Sequence, residues 1–169
     1  MIQIEKLRSR DELRGLVSAA KQDGKRVVFT NGCFDILHPG HVVYLKKAAE
    51  LGDVLILALN SDTSVKQLKG PTRPILNEHE RAVTMSGLES ITWLVLFNET
   101  RVTSLLECLK PDVWVKGGDY TLESLDAGER EMAQSLGIQV RFIPPVEGIS
   151  TTSILERIER ALKQDRGEA

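Results

Sequence analysis

Short apolar runs alternate with amphipathic segments along the whole chain, which is the pattern of a sheet covered by helices. Five of these runs are rich in Val, Ile, Leu and Phe and are bounded by turn residues. Runs that are apolar throughout are typical of parallel strands buried on both faces. The five predicted strands cover residues 27–30, 54–59, 91–97, 112–115 and 138–143.

Helical periodicity and capping signals separate these strands. Ser9 and Glu12 form a capping-box pattern before the first helix, and Asn77 and Glu80 repeat it before a later one. Pro39 suits the first turn of the helix that follows the first strand. The seven predicted helices cover about residues 9–23, 39–51, 62–68, 77–88, 100–109, 122–136 and 151–162. The last helix carries its apolar residues on one side, at 154, 155, 158 and 162.

Because strands and helices alternate from end to end, we expect one α/β domain, Rossmann-like and doubly wound, with about five parallel strands. This single domain would cover 1–169, with its core at about 26–158 and an N-terminal helix at about 9–23; no repeat or linker divides it. Ligands of such folds bind beyond the carboxyl ends of the strands. We therefore expect the site in the loops after residues 30, 60, 97, 115 and 143.

Charge and cysteine content narrow the function classes. The formal net charge of the 169 residues is −2, which gives no broad basic surface for nucleic acid. Cys33 and Cys108 lie far apart, which argues against a zinc site or a disulfide scaffold. The longest apolar run, 54–59, is far too short to span a membrane, and the charged N-terminus does not resemble a signal peptide. We expect a cytoplasmic protein with neither membrane nor nucleic-acid partners.

Two of the three histidines, His38 and His41, fall at the start of the helix after the first strand. Residues three apart share a helix face, so both side chains would point to one place. That place also holds the free N–H groups and the positive end of the helix, which together favour anions. Gly40 would let a phosphate or a base approach the backbone. Ordinary hydrogen-bonded histidines or two metal ligands are the alternatives, and the preceding Thr-Asn-Gly-x-Phe-Asp segment disfavours both.

The start of the last predicted helix offers a second anion site. Ser150, Thr151 and Thr152 combine hydroxyls with free backbone N–H groups, which can hold phosphate oxygens. Taken alone, these residues could be a simple helix cap. Together with His38 and His41 they favour a phosphate site.

The segment His38-Pro39-Gly40-His41 resembles the H-x-G-H signature of the HIGH superfamily of nucleotidyltransferases, and residues 149–152 resemble its I-S-T-T element. The resemblance implies that the two histidines stabilise a triphosphate during attack on its α-phosphorus. It also implies a nucleotide site built from the first strand-to-helix turn, the following loops and the last helix. The nucleotide-binding residues that it implies are Thr30, Asn31, Gly32, Cys33, Phe34, Asp35, Gly40, Asn60, Asp62, Arg81, Ser150, Thr151 and Thr152.

Some of these assignments stay open. In cytidylyltransferase relatives, lysines after the second strand and an arginine on the next helix contact phosphates; the counterparts here are Lys66 or Lys69, and Arg81. Of the two lysines we expect Lys69 to act with the catalytic histidines, although either could be a solvated surface charge. Arg81 could instead form an exposed helix ion pair. Asp35 either supports His38 or helps to hold Mg²⁺.

A narrower resemblance, to the heptose 1-phosphate adenylyltransferases, runs from about residue 26 to about 158. Its most specific element is Lys116-Gly117-Gly118-Asp119-Tyr120, and it implies that these five residues bind the sugar phosphate. The reaction implied is transfer of AMP from ATP to D-glycero-D-manno-heptose 1-phosphate, giving ADP-heptose and pyrophosphate for lipopolysaccharide core synthesis. ATP is then a substrate and Mg²⁺ the cofactor, bound mainly through the triphosphate. The implied partners are small molecules and further copies of the chain in a homo-oligomer.

Two other functions remain to be weighed. A cytidylyltransferase acting on glycerol, choline or ethanolamine phosphate is one alternative, but glycerol-phosphate enzymes carry Arg-Thr where this chain has Pro145 and Val146. A non-catalytic nucleotide-sensing module on the same fold is the other. The intact histidine pair and the Ser150–Thr152 element weigh against it.

Overall fold

A single parallel sheet organises the chain in the computed structural model, which describes residues 3–118 and 121–166. Its strand order is β3-β2-β1-β4-β5, so the chain runs outward from β1 in one direction and then, from β4, in the other. The predicted doubly wound fold with five parallel strands is confirmed. The strands are β1 (Val27–Gly32), β2 (Val54–Asn60), β3 (Trp93–Phe97), β4 (Val113–Gly117) and β5 (Gln139–Ile143).

The described residues form seven helices, on the two faces of this sheet and at its edges. They are α1 (Arg10–Gln22), α2 (Pro39–Ala49), α3 (Asp62–Lys69), α4 (Glu78–Ser86), α5 (Thr103–Leu109), α6 (Ala127–Ser135) and α7 (Thr151–Asp165). Both predicted capping boxes form, Ser9 with Glu12 and Asn77 with Glu80. Within the described ranges, none of these helices combines the length and the apolar character that crossing a bilayer requires.

The core lies in two layers, one on each face of the sheet. Leu13 of α1 and Trp114 of β4 belong to the layer beneath α1, α5 and α6. Leu45 of α2 and Met85 of α4 belong to the layer on the opposite face. All seven residues of β2 are buried, as expected for a strand covered on both sides. The central strands are thereby fixed, and their carboxyl ends form a rigid base for the loops that follow.

Helix α5 begins at Thr103 instead of 100, and α7 ends at Asp165 instead of 162. Two further elements differ from the sequence prediction for clear physical reasons. Helix α6 begins at Ala127 instead of 122, because the Asp126 carboxylate accepts the N–H groups of Gly128 and Glu129 and so caps the helix there. Strand β5 alternates between exposed and covered residues, since it lies at the sheet edge, whereas the pattern predicted a fully buried strand.

Helix α7 has the predicted apolar side, but that side does not enter the core. None of its residues is buried, and Ile158 and Leu162 are about half exposed. The helix is therefore tied to the fold mainly through its N-terminus.

Candidate functional site

A cavity of about 890 Å³ lies at the carboxyl ends of the strands. The loops after all five strands contribute to its wall, and β1 and β4, between which the chain direction reverses, lie at its centre. This is where ligands bind in open parallel sheets, and the volume is within the range of small-molecule sites. A shallower depression of about 460 Å³ at the opposite end of the sheet holds none of the residues singled out above. It is lined by Lys21, Gly24, Lys25, Arg26 and Asp112.

Most of the predicted site residues line the larger cavity. They are Asn31, Gly32, Cys33, Phe34, Asp35, His38, Gly40, His41, Asn60, Lys69, Lys116, Gly117, Gly118, Ser150, Thr151 and Thr152. Thr30, Asp62 and Arg81 do not line it. Asp119 and Tyr120 lie outside the described residues.

The two histidines stack at the start of α2. Their ring centroids are 3.6 Å apart at an interplanar angle of 22°. His38 is the N-cap residue, and its Nδ1 accepts the backbone N–H of His41 at 3.4 Å. Neutral His38 must then carry its proton on Nε2. The expected convergence of the pair is thus present, with a defined donor on the first ring.

Both imidazoles are held in their neutral form. Burial, together with the neighbouring His38, lowers the pKa of His41 to about 4. Burial also lowers the pKa of His38. Nδ1 of His41 is buried without a hydrogen-bond partner among the described residues. At neutral pH the pair therefore offers N–H donors and not fixed positive charges, and an arriving anion would favour protonation.

Gly40 sits where a side chain would disturb the first histidine. A Cβ at this position would lie 3.0 Å from Nδ1 of His38 and 3.7 Å from the carbonyl oxygen of Ile149. The first of these separations is tighter than ordinary contact, so His38 would have to shift. Glycine keeps the backbone between the two histidines open.

Asp35 holds a loop, and the hydrogen bonds of its side chain within the described residues do not include His38. Its carboxylate accepts the Nε–H of Arg73 at 2.7 Å and the backbone N–H groups of Ile75 and Leu76 at 2.8 and 3.0 Å. Burial opposes its ionisation, but the N–H groups of Leu76 and Ile75 and the Arg73 guanidinium outweigh it and keep the pKa of Asp35 low. Asp35 thus joins the His38 loop to the loop between α3 and α4.

Arg81 is fully buried and takes no part in the cavity wall. Its guanidinium donates to the carbonyls of Leu76 and Cys33 at 3.0 and 2.7 Å and to Asp62 at 2.8 Å. The expectation that Arg81 contacts phosphate directly therefore has no support in this geometry. Its donors instead link α4, α3 and the β1–α2 loop.

The contacts of Thr30 and Cys33 also fit structural roles. Thr30 is buried within β1, where its hydroxyl donates to the Val115 carbonyl at 3.0 Å and lies 2.6 Å from the Tyr44 hydroxyl. Cys33 faces the cavity, and burial raises the pKa of its thiol. A protonated thiol fits the expectation of a packed side chain without nucleophilic chemistry.

Lys116 marks the β4 side of the cavity. Its Nζ lies 5.1 Å from the centroid of the Trp114 ring. Burial lowers the pKa of Lys116, and the charge of Glu129 opposes that effect. The next residue, Gly117, lies against Tyr44, whose ring is 2.7 Å from the position a Cβ would take. This contact packs the Lys116 segment against α2.

The N-terminus of α7 faces the same cavity as that of α2. Ser150 caps the helix by accepting the N–H of Ser153 at 3.0 Å, and Ser153 returns a bond to the Ser150 backbone. Thr151 and Thr152 are the first two helical residues, so their N–H groups have no intrahelical acceptor. Two positive helix ends therefore face one space.

Several lining residues were not predicted from the sequence. Arg73 and Arg101 follow β2 and β3 at the carboxyl edge, so their positions after predicted strands were an available signal. Tyr44 had no comparable signal. Asp126 and Glu129 were placed inside a continuous helix at 122–136, and only the later start of α6 brings them to the cavity.

Comparisons with known proteins identify a family and several relatives of this chain. A family model described as cytidylyltransferase-like matches residues 29–157. The bifunctional protein HldE of Geobacter sulfurreducens is 48% identical over 160 residues, which are 95% of this chain and 32% of that protein. HldE of Syntrophotalea carbinolica is 49% identical over 153 residues, 90% of this chain and 31% of that protein. The chain thus spans about a third of the length of these curated relatives.

Two solved structures are similar in fold. A lipopolysaccharide core biosynthesis protein from Thermoplasma volcanium matches with a TM-score of 0.59 and 31% identity, over 73% of this chain and 98% of that one. Pantoate-beta-alanine ligase from Francisella tularensis matches with a TM-score of 0.55 over 90% of this chain and 76% of that one. Its 14% identity supports a common fold only.

Proposed function

Because the chain belongs to the cytidylyltransferase-like family, we propose that it transfers AMP from ATP to D-glycero-D-manno-heptose 1-phosphate, releasing pyrophosphate. The observation that carries this proposal is the stacked pair of His38 and His41 at the N-terminus of α2, which lines one cavity together with the N-terminus of α7. Such an arrangement offers many N–H donors to a polyphosphate.

The acceptor needs no general base. The second pKa of a phosphate monoester is near ~6, so its oxygen is largely anionic at neutral pH. That oxygen attacks the α-phosphorus of ATP, a new P–O bond forms, and the bond to the bridging β-oxygen breaks. Pyrophosphate leaves with the electron pair, and no proton has to move. The site has to align two polyanions and stabilise the added negative charge.

The described side chains fit this requirement. In this proposal His38 and His41 donate N–H groups to the α-phosphate and the bridging oxygen. Lys69, at the end of α3, supplies a positive charge on the β2 side, while Lys66 does not line the cavity. The hydroxyls and N–H groups of Ser150–Thr152 add further donors to the cavity wall.

Mg²⁺ would enter this site with the triphosphate. Among the described residues, no group of three or more His, Cys, Asp and Glu side chains is placed to hold a metal ion. Within residues 3–118 and 121–166, the side chains therefore form no metal cage. When bound to ATP, the ion neutralises phosphate charge, and no step above depends on a protein ligand for it.

The choice of a heptose phosphate as the acceptor is based on the Lys116-to-Tyr120 segment. Lys116, Gly117 and Gly118 line the β4 side of the cavity, opposite Lys69. Asp119 and Tyr120, which the resemblance assigns to the same site, lie outside the described residues. The Thermoplasma volcanium neighbour, a lipopolysaccharide core biosynthesis protein, supports a role of this kind.

We also infer the setting in which the chain acts. Residues 1–169 would work as one nucleotidyltransferase domain in the cytoplasm, in a homo-oligomer of two or more copies, with small molecules as the other partners. The family resemblance supports the oligomer. Sedimentation equilibrium of the purified chain would measure its mass, and a monomer at all concentrations would contradict the inference.

A nucleotide and acceptor screen tests the proposed function. Pyrophosphate release is measured from ATP, CTP and GTP, each with heptose 1-phosphate and with glycerol, choline and ethanolamine phosphates. We expect release only when ATP and heptose 1-phosphate are both present. Release from CTP with an alcohol phosphate would instead establish the cytidylyltransferase alternative. Tight ATP binding without release under any pairing would establish the sensing module.

A further inference from the structure

A buried ion pair joins the two loops that flank the histidines on the β2 side. Asp35 lies three residues before His38, and its side chain is 3% exposed. It binds Nε of Arg73, whose side chain is 20% exposed and lines the cavity. Each carboxylate oxygen also accepts a backbone N–H from the loop that follows Arg73. The carboxylate is therefore fully engaged, and the loop cannot move without breaking several hydrogen bonds.

The same pair leaves most of the guanidinium available. Asp35 uses Nε of Arg73, and within residues 3–118 and 121–166 neither Nη nitrogen has a hydrogen-bond partner. Arg81 offers a contrast, because all three of its nitrogens donate to protein oxygens away from the cavity. A guanidinium fixed at one nitrogen still presents a planar fork of N–H donors, which matches two oxygens of a phosphate.

We propose that Arg73 is a further phosphate-binding residue of the site, that its ligand is the pyrophosphate portion of the nucleotide, and that Asp35 is the positioning residue that presents it. This inference rests on the proposed function. The sheet order supports the choice of ligand, because Arg73 and Lys69 lie on the β2 side of β1 and Lys116 lies on the β4 side. With the sugar phosphate at Lys116, the leaving group falls on the side of Arg73.

Asp35 would then act through Arg73 and not through a metal or a histidine. Its negative charge lies close to the proposed anion, so a purely electrostatic effect of removing it would be tighter anion binding. A positioning role predicts the opposite, because a released Arg73 loses its fixed orientation. Removal of the Asp35 charge would therefore tighten anion binding if its effect were purely electrostatic, and weaken anion binding if Asp35 positions Arg73.

Titration calorimetry with inorganic pyrophosphate tests the proposal without any sugar substrate. We expect Arg73→Gln to weaken binding on the order of 10-fold or more, the loss of a charge-assisted contact. Arg73→Lys should recover only part of that loss, because lysine has neither the fork nor the Nε anchor. Asp35→Asn should also weaken binding although it removes a negative charge. The double variant should bind no more weakly than Arg73→Gln alone.

The exposed pair Arg14–Asp11 on α1 provides matched controls. Arg14→Gln and Asp11→Asn change the same charges far from the cavity and should leave pyrophosphate binding unchanged. Parent-like affinity in Arg73→Gln would overturn the phosphate contact, and tighter binding in Asp35→Asn would overturn the positioning role. If Asp35→Asn does not fold, as judged by circular dichroism, the Gln and Lys variants of Arg73 decide.

The pyrophosphate-binding test of Arg73 and the acceptor screen of the proposed function can succeed or fail independently. Normal pyrophosphate binding by the parent, with the expected losses in the variants, would support the Arg73 assignment even if the acceptor screen found no heptose activity. Conversely, heptose adenylylation with an unaffected Arg73→Gln variant would leave the function in place and reject the Arg73 assignment.

Discussion

At the scale of single residues, the sequence predicted roles that depend on neighbouring residues better than roles that depend on partners distant in the chain. His38, Gly40 and His41 could be placed from the sequence because their relation depends on one helix start. The role of Asp35 could not, because its partners lie 38 to 41 positions further along the chain. Arg81 shows the same limit, since only the fold reveals that its donors are taken by buried carbonyls and Asp62.

Replacement of His41 tests the proposed role of the histidines. The His41→Ala enzyme should lose on the order of 10²–10³ in kcat with little change in KM for ATP, because the N–H donor acts mainly in the transition state. Steady-state kinetics with heptose 1-phosphate would measure this. His79→Ala on α4 provides the control and should keep parent kinetics. A near-normal kcat in His41→Ala would disprove the assignment.

The low pKa of His41 also predicts how stability depends on pH. In the unfolded chain His41 has the ordinary histidine pKa of about 6.5, whereas in the folded protein its pKa is about 4. Between these values the unfolded state binds more protons, so the free energy of unfolding should fall as pH falls. The expected loss is on the order of 2 kcal/mol across the window.

Urea unfolding at a series of pH values would measure this loss. His41→Asn should flatten the part of the profile between pH 6.5 and 4. The pKa of Asp35 is also lowered, but its protonation reduces the free energy of unfolding only below about pH 3.8, outside this window. His79→Asn is the control for removal of a histidine. An unchanged pH profile in His41→Asn would show that this histidine is not held neutral.

At the scale of elements, the site is the meeting point of two helix N-termini on a fixed sheet. The starts of α2 and α7 were predicted from Pro39 and Ser150, because caps leave clear sequence signals. The start of α6 was not, since its capping Asp126 lies inside a segment of weak helical periodicity. The sequence pattern predicts the apolar side of α7, but periodicity does not reveal whether such a side meets the core.

Changes at Ser150 should separate helix capping from phosphate binding. Aspartate is as good an N-cap as serine, so Ser150→Asp should keep the melting temperature near that of the parent. Its negative charge at the helix start should, however, raise KM for ATP several-fold by repelling the triphosphate. Ser150→Asn keeps the cap without the charge and is the control. Equal KM values in the two variants would place the phosphates away from α7.

At the scale of the whole molecule, the sheet order explains why distant segments share one cavity. Strands β2 and β4 flank β1, so Lys69 at the end of α3 and the segment with Lys116 lie on opposite sides of the histidine pair. The alternation of strands and helices predicted the fold class and the sheet edge at which the large cavity lies. It could not predict the cross-loop contacts, such as Tyr44 beneath Gly117, because side-chain packing depends on the assembled sheet.

In the proposed reaction, the acceptor attacks the α-phosphorus of ATP in this cavity. The most direct measurement follows labelled phosphate when the protein is incubated with heptose 1-phosphate and ATP carrying the label at either the α- or the γ-position. We predict that the α-label appears in the sugar nucleotide and the γ-label in pyrophosphate. Transfer of the γ-label to the sugar, or recovery of the α-label only as AMP, would contradict the account.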